Sequence, residues 1–170
     1  MENWVNKVAE SGIITLDLEQ FFSQTPIVPF DLKPFLFMGL VLKEKDFRQQ
    51  LKELDLTPYK DKLVAVHCSA DAIIPQWAYM LVAALLQPEA ADVLFGAEQD
   101  VETALLLRAI DRIDARVYEN QRVVVKGCGD RKIPDAAYLT ITNKLRPVAK
   151  SIMFGEPCST VPVYKKKTNP

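Results

Sequence analysis

Cysteine is the residue type in this sequence best suited to metal or thiol chemistry, and three are present: Cys68, Cys128 and Cys158. They are far apart in the chain, so the sequence has no C-x-x-C zinc motif and only the fold could bring them together. Thiolates prefer soft metals and iron–sulfur clusters to magnesium or calcium. Three sulfurs with one open position would suit a catalytic-type metal site or a cluster with an exchangeable corner. The candidate cofactors are therefore zinc, iron or an iron–sulfur cluster.

Polar or ionisable residues that could support such a site lie within three positions of each cysteine: His67, Ser69, Asp71, Asp130 and Ser159. The two aspartates could also cap the helices that follow, or hydrogen-bond within their loops. His67, the only histidine, would alternate to the opposite face of its strand from Cys68, which favours a packing or supporting role over ligation. A free cysteine is also commonly just a small buried apolar residue.

Two further functions are compatible with the same residues. One is an enzyme that uses a cysteine as nucleophile, with Asp71 or Asp130 as acid or base. The other is a non-catalytic interaction or scaffold module, because a fold alone does not define a function. Whether the protein is an enzyme is left open by the sequence, which contains no dinucleotide-binding, P-loop or G-x-S-x-G motif.

The elements that must position the cysteines include an internal repeat. Residues 59–96 and 118–155 align without a gap and share the pattern D-x-x-I-P-x-x-A-Y. In each segment a short β-branched run precedes the pattern, helix-forming residues follow it, and a second short run ends in Phe-Gly. Each segment therefore predicts a β-α-β unit with parallel strands and together they predict a duplication.

The remaining segments extend this alternation. A helix is predicted from about Asp100 to Ala115, within the 97–117 connection, and another over Glu44–Leu54. Phe35–Val41 favours a strand, although an apolar run of that length is also compatible with a helix. Ser11–Leu18 is expected to be a strand or the entry to a short helix. Residues 156–170 are expected to be a tail with a solvated lysine-rich end.

The whole chain is then predicted to be one α/β domain of 170 residues, with residues 1–57 as its N-terminal β/α portion. Regular alternation of strands and helices is typical of a three-layer sandwich on a mostly parallel sheet. Loops at the carboxyl ends of parallel strands share one edge, where α/β proteins bind ligands. All three cysteines follow predicted strands, so this edge is the predicted site.

The composition of the chain argues mainly against certain classes of partner. Lys and Arg total 21 and Asp and Glu total 22, which disfavours nucleic-acid binding. Neither a signal peptide nor a membrane span is predicted, and the odd number of cysteines favours reduced thiols in the cytoplasm. The apolar helices are compatible with a homodimer.

Several segments carry a family resemblance: VNKVAESGIITLDLE, LKEKDFR, HCSADAIIPQWAYM, KGCGD and AKSIMFGEPCSTVPVYKK. In these segments the chain resembles the DUF2480 family, small uncharacterised proteins found mainly in Bacteroidetes. All three cysteines fall within the family motifs. Family members are encoded near components of the SUF iron–sulfur assembly system. The resemblance therefore implies SUF-type assembly proteins as partners and an accessory role in cluster assembly.

Overall fold

A computed structural model describes residues 12–126, 129–156 and 158–167 of the chain. The chain divides into two compact units. One consists of Ser23–Ala104 and is called the inserted unit; the other combines Met1–Phe22 with Leu105–Pro170 and is called the terminal unit. Each unit has its own sheet and its own hydrophobic core.

Seven strands and four α-helices lie within the described residues. The strands are β1 (Ile13–Asp17), β2 (Ile27–Asp31), β3 (Leu63–His67), β4 (Asp92–Phe95), β5 (Arg122–Lys126), β6 (Ser151–Glu156) and β7 (Ser159–Lys165). The helices are α1 (Glu44–Lys52), α2 (Gln76–Leu86), α3 (Glu98–Asp111) and α4 (Asp135–Leu145). Short 3-10 helices occupy Leu18–Phe21, Lys33–Phe35, Thr57–Tyr59 and Ala115–Tyr118.

The two sheets have related strand arrangements. In the inserted unit the order is β2-β3-β4 and all strands are parallel. In the terminal unit the order is β1-β5-β6-β7, with the first three strands parallel and β7 antiparallel to β6. The carboxyl ends of the parallel strands therefore meet at one edge of each sheet.

Helix boundaries follow local sequence signals. In α1, Phe47 and Leu51 are buried one turn apart, while Glu44 and Arg48 form an exposed ion pair at 2.9 Å. Helices α2 and α4 begin directly after Pro75 and Pro134, whose fixed φ suits a helix start. A second proline follows the end of each helix because proline cannot continue it.

The predicted α/β class is confirmed, with mostly parallel strands that are divided between two sheets. Both predicted β-α-β segments are present, as β3-α2-β4 and β5-α4-β6. The helices predicted over Glu44–Leu54 and Asp100–Ala115 correspond to α1 and α3. The duplication itself stays a prediction.

The strand predicted over Phe35–Val41 is wrong. Residues 37–41 form a tight turn closed by a single bridge between Phe37 and Val41. Met38 and Gly39 have φ of 52° and 71°, a left-handed conformation that interrupts a strand. The strand lies upstream as β2, which the sequence conceals because it contains Pro29; β2 is at the edge of its sheet, where proline is tolerated.

The predicted tail contains a strand that the sequence analysis did not predict. β7 pairs with β6 through a turn at Cys158, and the pairing register shifts between Ile152 and Met153. Pro162 lies within β7, at the outer edge of the sheet. None of the helices in the described ranges has the length and apolar character needed to cross a bilayer.

Candidate functional site

The carboxyl edge of the inserted unit's sheet is built from the ends of β2 and β3. Asp31 ends β2 and lies opposite His67, the last residue of β3, in the pairing register. The chain then continues as Cys68, Ser69 and a loop that leads to Pro75 and α2. Cys68 is therefore presented at the edge where α/β sheets bind ligands.

Asp31 holds the Cys68 loop in place. Its carboxylate accepts hydrogen bonds from the backbone N–H of Lys33 at 2.9 Å, the backbone N–H of Ser69 at 2.9 Å and the Ser69 hydroxyl at 2.5 Å. Burial raises the pKa of Asp31, but the Ser69 hydroxyl, the two backbone donors and the charge of His67 outweigh it, so the pKa is below its ordinary value of 3.8. The ionised carboxylate thus joins the β2 and β3 loops.

Cys68 is half-buried and free. Its thiol donates a weak hydrogen bond to the Ala70 carbonyl at 3.6 Å. Tyr79, in the first turn of α2, lies near enough that burial and then the negative charge of a Cys68 thiolate raise the pKa of its hydroxyl. These contacts place the thiol beside a backbone carbonyl and a phenol.

His67 is half-buried and turned back towards its own strand. Its Nδ1 lies 3.5 Å from the Ala65 carbonyl oxygen, a long contact, and its charge acts on Asp31. The supporting role of His67 stays a prediction.

An aromatic pair lies at the same edge of the sheet, where β4 ends. Tyr79 and Phe95 meet edge to face with centroids 5.3 Å apart, and Phe95 is 75% exposed. Gly96 follows with φ of 124° and donates its N–H to the Val66 carbonyl. The edge therefore presents an aromatic surface close to the thiol.

The terminal unit has a charged network at the corresponding edge. Asp17, at the end of β1, contacts Lys126 at 3.4 Å, and Glu19 accepts a hydrogen bond from the Arg131 backbone N–H at 2.9 Å. Hydrogen bonding and charge from Asp17, then the charges of Glu156 and Glu19, raise the pKa of Lys126 above its ordinary value. This edge holds a permanent cation among carboxylates.

The other predicted site residues are placed as follows. Cys158 and Ser159 are exposed at the turn between β6 and β7 in the terminal unit. Asp71 and Asp130 are exposed, and the caps of α2 and α4 have no side-chain hydrogen bond. Cys128 lies outside the described residues.

A metal centre is not assembled by the described part of the chain. Within it, no group of three or more His, Cys, Asp or Glu side chains is arranged to hold a metal ion. Cys68 belongs to the inserted unit and Cys158 to the terminal unit. The three-cysteine site and its cofactor therefore stay predictions.

Sequence reasoning missed Asp31, which organises the Cys68 loop, and Asp17, its counterpart in the terminal unit. A signal for both was available: IITLDLEQF over residues 13–21 and IVPFDLKPF over residues 27–35 share the same pattern. In both units the aspartate accepts a bond from the N–H two residues later. The pattern would have located β2 and both carboxylates.

Comparison with known proteins adds the family. The family model described as "Protein of unknown function (DUF2480)" matches residues 2–166. The chain belongs to this family. No curated protein and no solved structure matches the chain significantly. Membership in DUF2480 therefore covers both units and all three cysteines.

Proposed function

We propose that this DUF2480 protein supplies Cys68 as a thiolate ligand to a soft metal centre, either zinc, iron or an iron–sulfur cluster. The observation that carries the proposal is the Cys68 loop, which is fixed by two hydrogen bonds from Ser69 to Asp31 and presents a free, half-buried thiol at the carboxyl edge of a parallel sheet. Thiolate ligands select soft metals and iron–sulfur clusters.

The contacts of Cys68 favour a ligand over a nucleophile. A nucleophilic cysteine is activated by a neighbouring imidazole, a cation or a helix N-terminus that lowers its pKa. The thiol contacts a backbone carbonyl and lies near Tyr79, a phenol whose pKa is raised above its ordinary value of 10.0 and which is therefore neutral near pH 7. Neither group is a base that could take up the thiol proton. A metal ion deprotonates its own thiol ligand and needs no base beside it.

The proposed donor set extends beyond the Cys68 loop. Because the described residues contain no group of three donors, Cys68 alone does not form a closed structural metal site. Cys128 and Cys158 are the proposed additional ligands, and the exposure of Cys158 keeps its sulfur accessible to a partner. An incomplete donor set suits a protein that receives or passes on a cluster. The proposed partners are SUF-type assembly proteins, in line with the family resemblance.

The proposal is tested by anaerobic reconstitution. Wild type, Cys68→Ser, Cys128→Ser and Cys158→Ser are each incubated with zinc, or with ferrous iron and sulfide, and then desalted. Metal per chain is measured by elemental analysis, and cluster formation by the visible absorption spectrum. We expect stoichiometric binding to wild type and its loss in Cys68→Ser.

Thr57→Ala is the control, because Thr57 donates a comparable hydroxyl bond to Asp55, lies outside the Cys68 loop and leaves every sulfur in place. It should retain most of the bound metal. Wild-type protein that holds neither zinc nor iron at stoichiometric levels would refute the proposal. Rapid alkylation of Cys68 well below the ordinary thiol pKa of about 8.5 would instead favour the nucleophile.

A further inference from the structure

The 37–41 turn of the inserted unit is an ordered apolar projection. Phe37 donates its N–H to the Val41 carbonyl at 2.7 Å, and both Leu40 and Val41 donate back to the Phe37 carbonyl. Met38 is 81% exposed and Leu40 is 64% exposed. An apolar tip held by its own backbone bonds is pre-organised for contact with another surface.

The terminal unit contains an apolar groove of about 410 Å³ between α4 and the β6–β7 pair. Its lining includes the side chains of Tyr138, Leu139, Thr142, Phe154, Val163 and Asp135. Leu139 and Val163 are 66% and 52% exposed. Asp135 is the only charged residue in the described lining, so the groove is apolar with one acidic point.

The 37–41 turn and the groove carry opposite charges. The ammonium of Lys43 lies 3.2 Å from the centre of the Phe37 ring, so a cation accompanies the apolar turn. The groove has a carboxylate, Asp135, at the first position of α4. An apolar turn carrying one cation and an apolar groove carrying one anion are complementary surfaces.

We propose that the 37–41 turn of one copy of the chain docks into the α4–β7 groove of a second copy, with Lys43 facing Asp135. The contact joins different surfaces of the two copies, so each docked copy still has one free turn or one free groove. A contact made by a single turn is small beside the roughly 1,200–2,000 Å² of stable interfaces, so the association is weak and depends on concentration.

Complementation between two variants tests this proposal. Met38→Asp removes the apolar tip with a residue that tolerates positive φ. Leu139→Lys blocks the groove and places a lysine four residues after Asp135, which favours the helix. Ile73→Glu is the matched control, because Ile73 is 92% exposed and lies outside both surfaces. Circular dichroism confirms that each variant is folded.

Sedimentation velocity over a wide concentration range gives the outcome. We expect the mean mass of wild type and Ile73→Glu to rise with concentration, each docking variant to stay monomeric, and an equal mixture of the two docking variants to form a dimer containing one copy of each. A monomeric wild type, or a mixture that stays monomeric, overturns the proposal. Monomeric wild type that sediments with anionic phospholipid vesicles would assign the 37–41 turn to a lipid surface instead.

Discussion

The two units present similar frameworks with different chemistry at their carboxyl edges. Each has an aspartate at the end of its first strand, Asp31 or Asp17, in register with the last residue of the next strand. Each also has an edge-to-face Tyr–Phe pair, with centroids 5.3 Å apart in the inserted unit and 5.5 Å apart in the terminal unit.

The residue opposite the aspartate makes the difference. In the terminal unit it is Lys126, which forms an ion pair with Asp17. In the inserted unit it is His67, and the carboxylate of Asp31 is used to hold Ser69 and the loop of Cys68. Similar frameworks thus position an ion pair at the carboxyl edge of one sheet and a thiol at the carboxyl edge of the other.

The largest expected effect is the loss of stability caused by a cavity in either of the two hydrophobic cores. Leu86 and Leu145 are fully buried, each in the core of one unit. Replacing either with alanine should cost about 2–5 kcal/mol of unfolding free energy because it leaves a cavity. Urea unfolding measures the total. Hydrogen exchange should show that Leu86→Ala reduces protection mainly in β2–β4, and Leu145→Ala mainly in β1, β5 and β6. Equal loss in both sheets for both variants would contradict two separate cores.

A smaller difference is expected at the Phe-Gly positions. Gly96 and Gly155 have φ of 124° and 120°, so alanine at either position strains the backbone by about 1–3 kcal/mol. A Cβ at Gly155 would also lie 2.6 Å from the Ser159 carbonyl oxygen, against 2.9 Å from the Asp100 Cβ at Gly96. Gly155→Ala should therefore have a lower unfolding free energy than Gly96→Ala, as measured by chemical denaturation. The reverse order would show that the β6–β7 turn yields more easily than the start of α3.

The two aspartates should differ when replaced by asparagine. Asp31→Asn weakens three hydrogen bonds, including two that fix the Cys68 loop, and should cost about 1–3 kcal/mol. Asp17→Asn removes a solvent-screened ion pair with Lys126 and should therefore cost less than Asp31→Asn. Thermal unfolding at neutral pH measures both. An equal or larger loss for Asp17→Asn would remove the distinction between the two edges.

The smallest expected effect is on the titration of Asp31. Because its pKa is lowered in the folded protein, Asp31 stabilises the fold above its unfolded value of 3.8, and this contribution is lost as the pH falls through the lowered pKa. Ser69→Ala should raise that pKa towards 3.8, as measured by carboxyl-carbon NMR. Thr57→Ala is the control, because Thr57 donates to Asp55 in the same way. An unchanged Asp31 pKa in Ser69→Ala would show that the hydroxyl does not hold the carboxylate.

Local patterns predicted the elements whose signals lie close together in sequence. The helix containing Phe47 and Leu51 and the four strands of the β-α-β segments were of this kind. β2 and β7 were missed because Pro29 and Pro162 argue against strands unless their edge positions are known. The Asp31–Ser69 bonds join residues 38 positions apart, so local periodicity could not reveal them. Which cysteines share a site depends on where distant loops meet, and spacing alone does not decide that.

X-ray absorption at the zinc edge tests the central claim, that Cys68 is a thiolate ligand, most directly. Wild-type protein loaded with zinc is compared with Cys68→Ser loaded in the same way. The account predicts a sulfur shell at about 2.3 Å in wild type and one sulfur fewer, or no bound zinc, in Cys68→Ser. A wild-type spectrum containing only nitrogen and oxygen ligands, or a sulfur shell unchanged in Cys68→Ser, would contradict it.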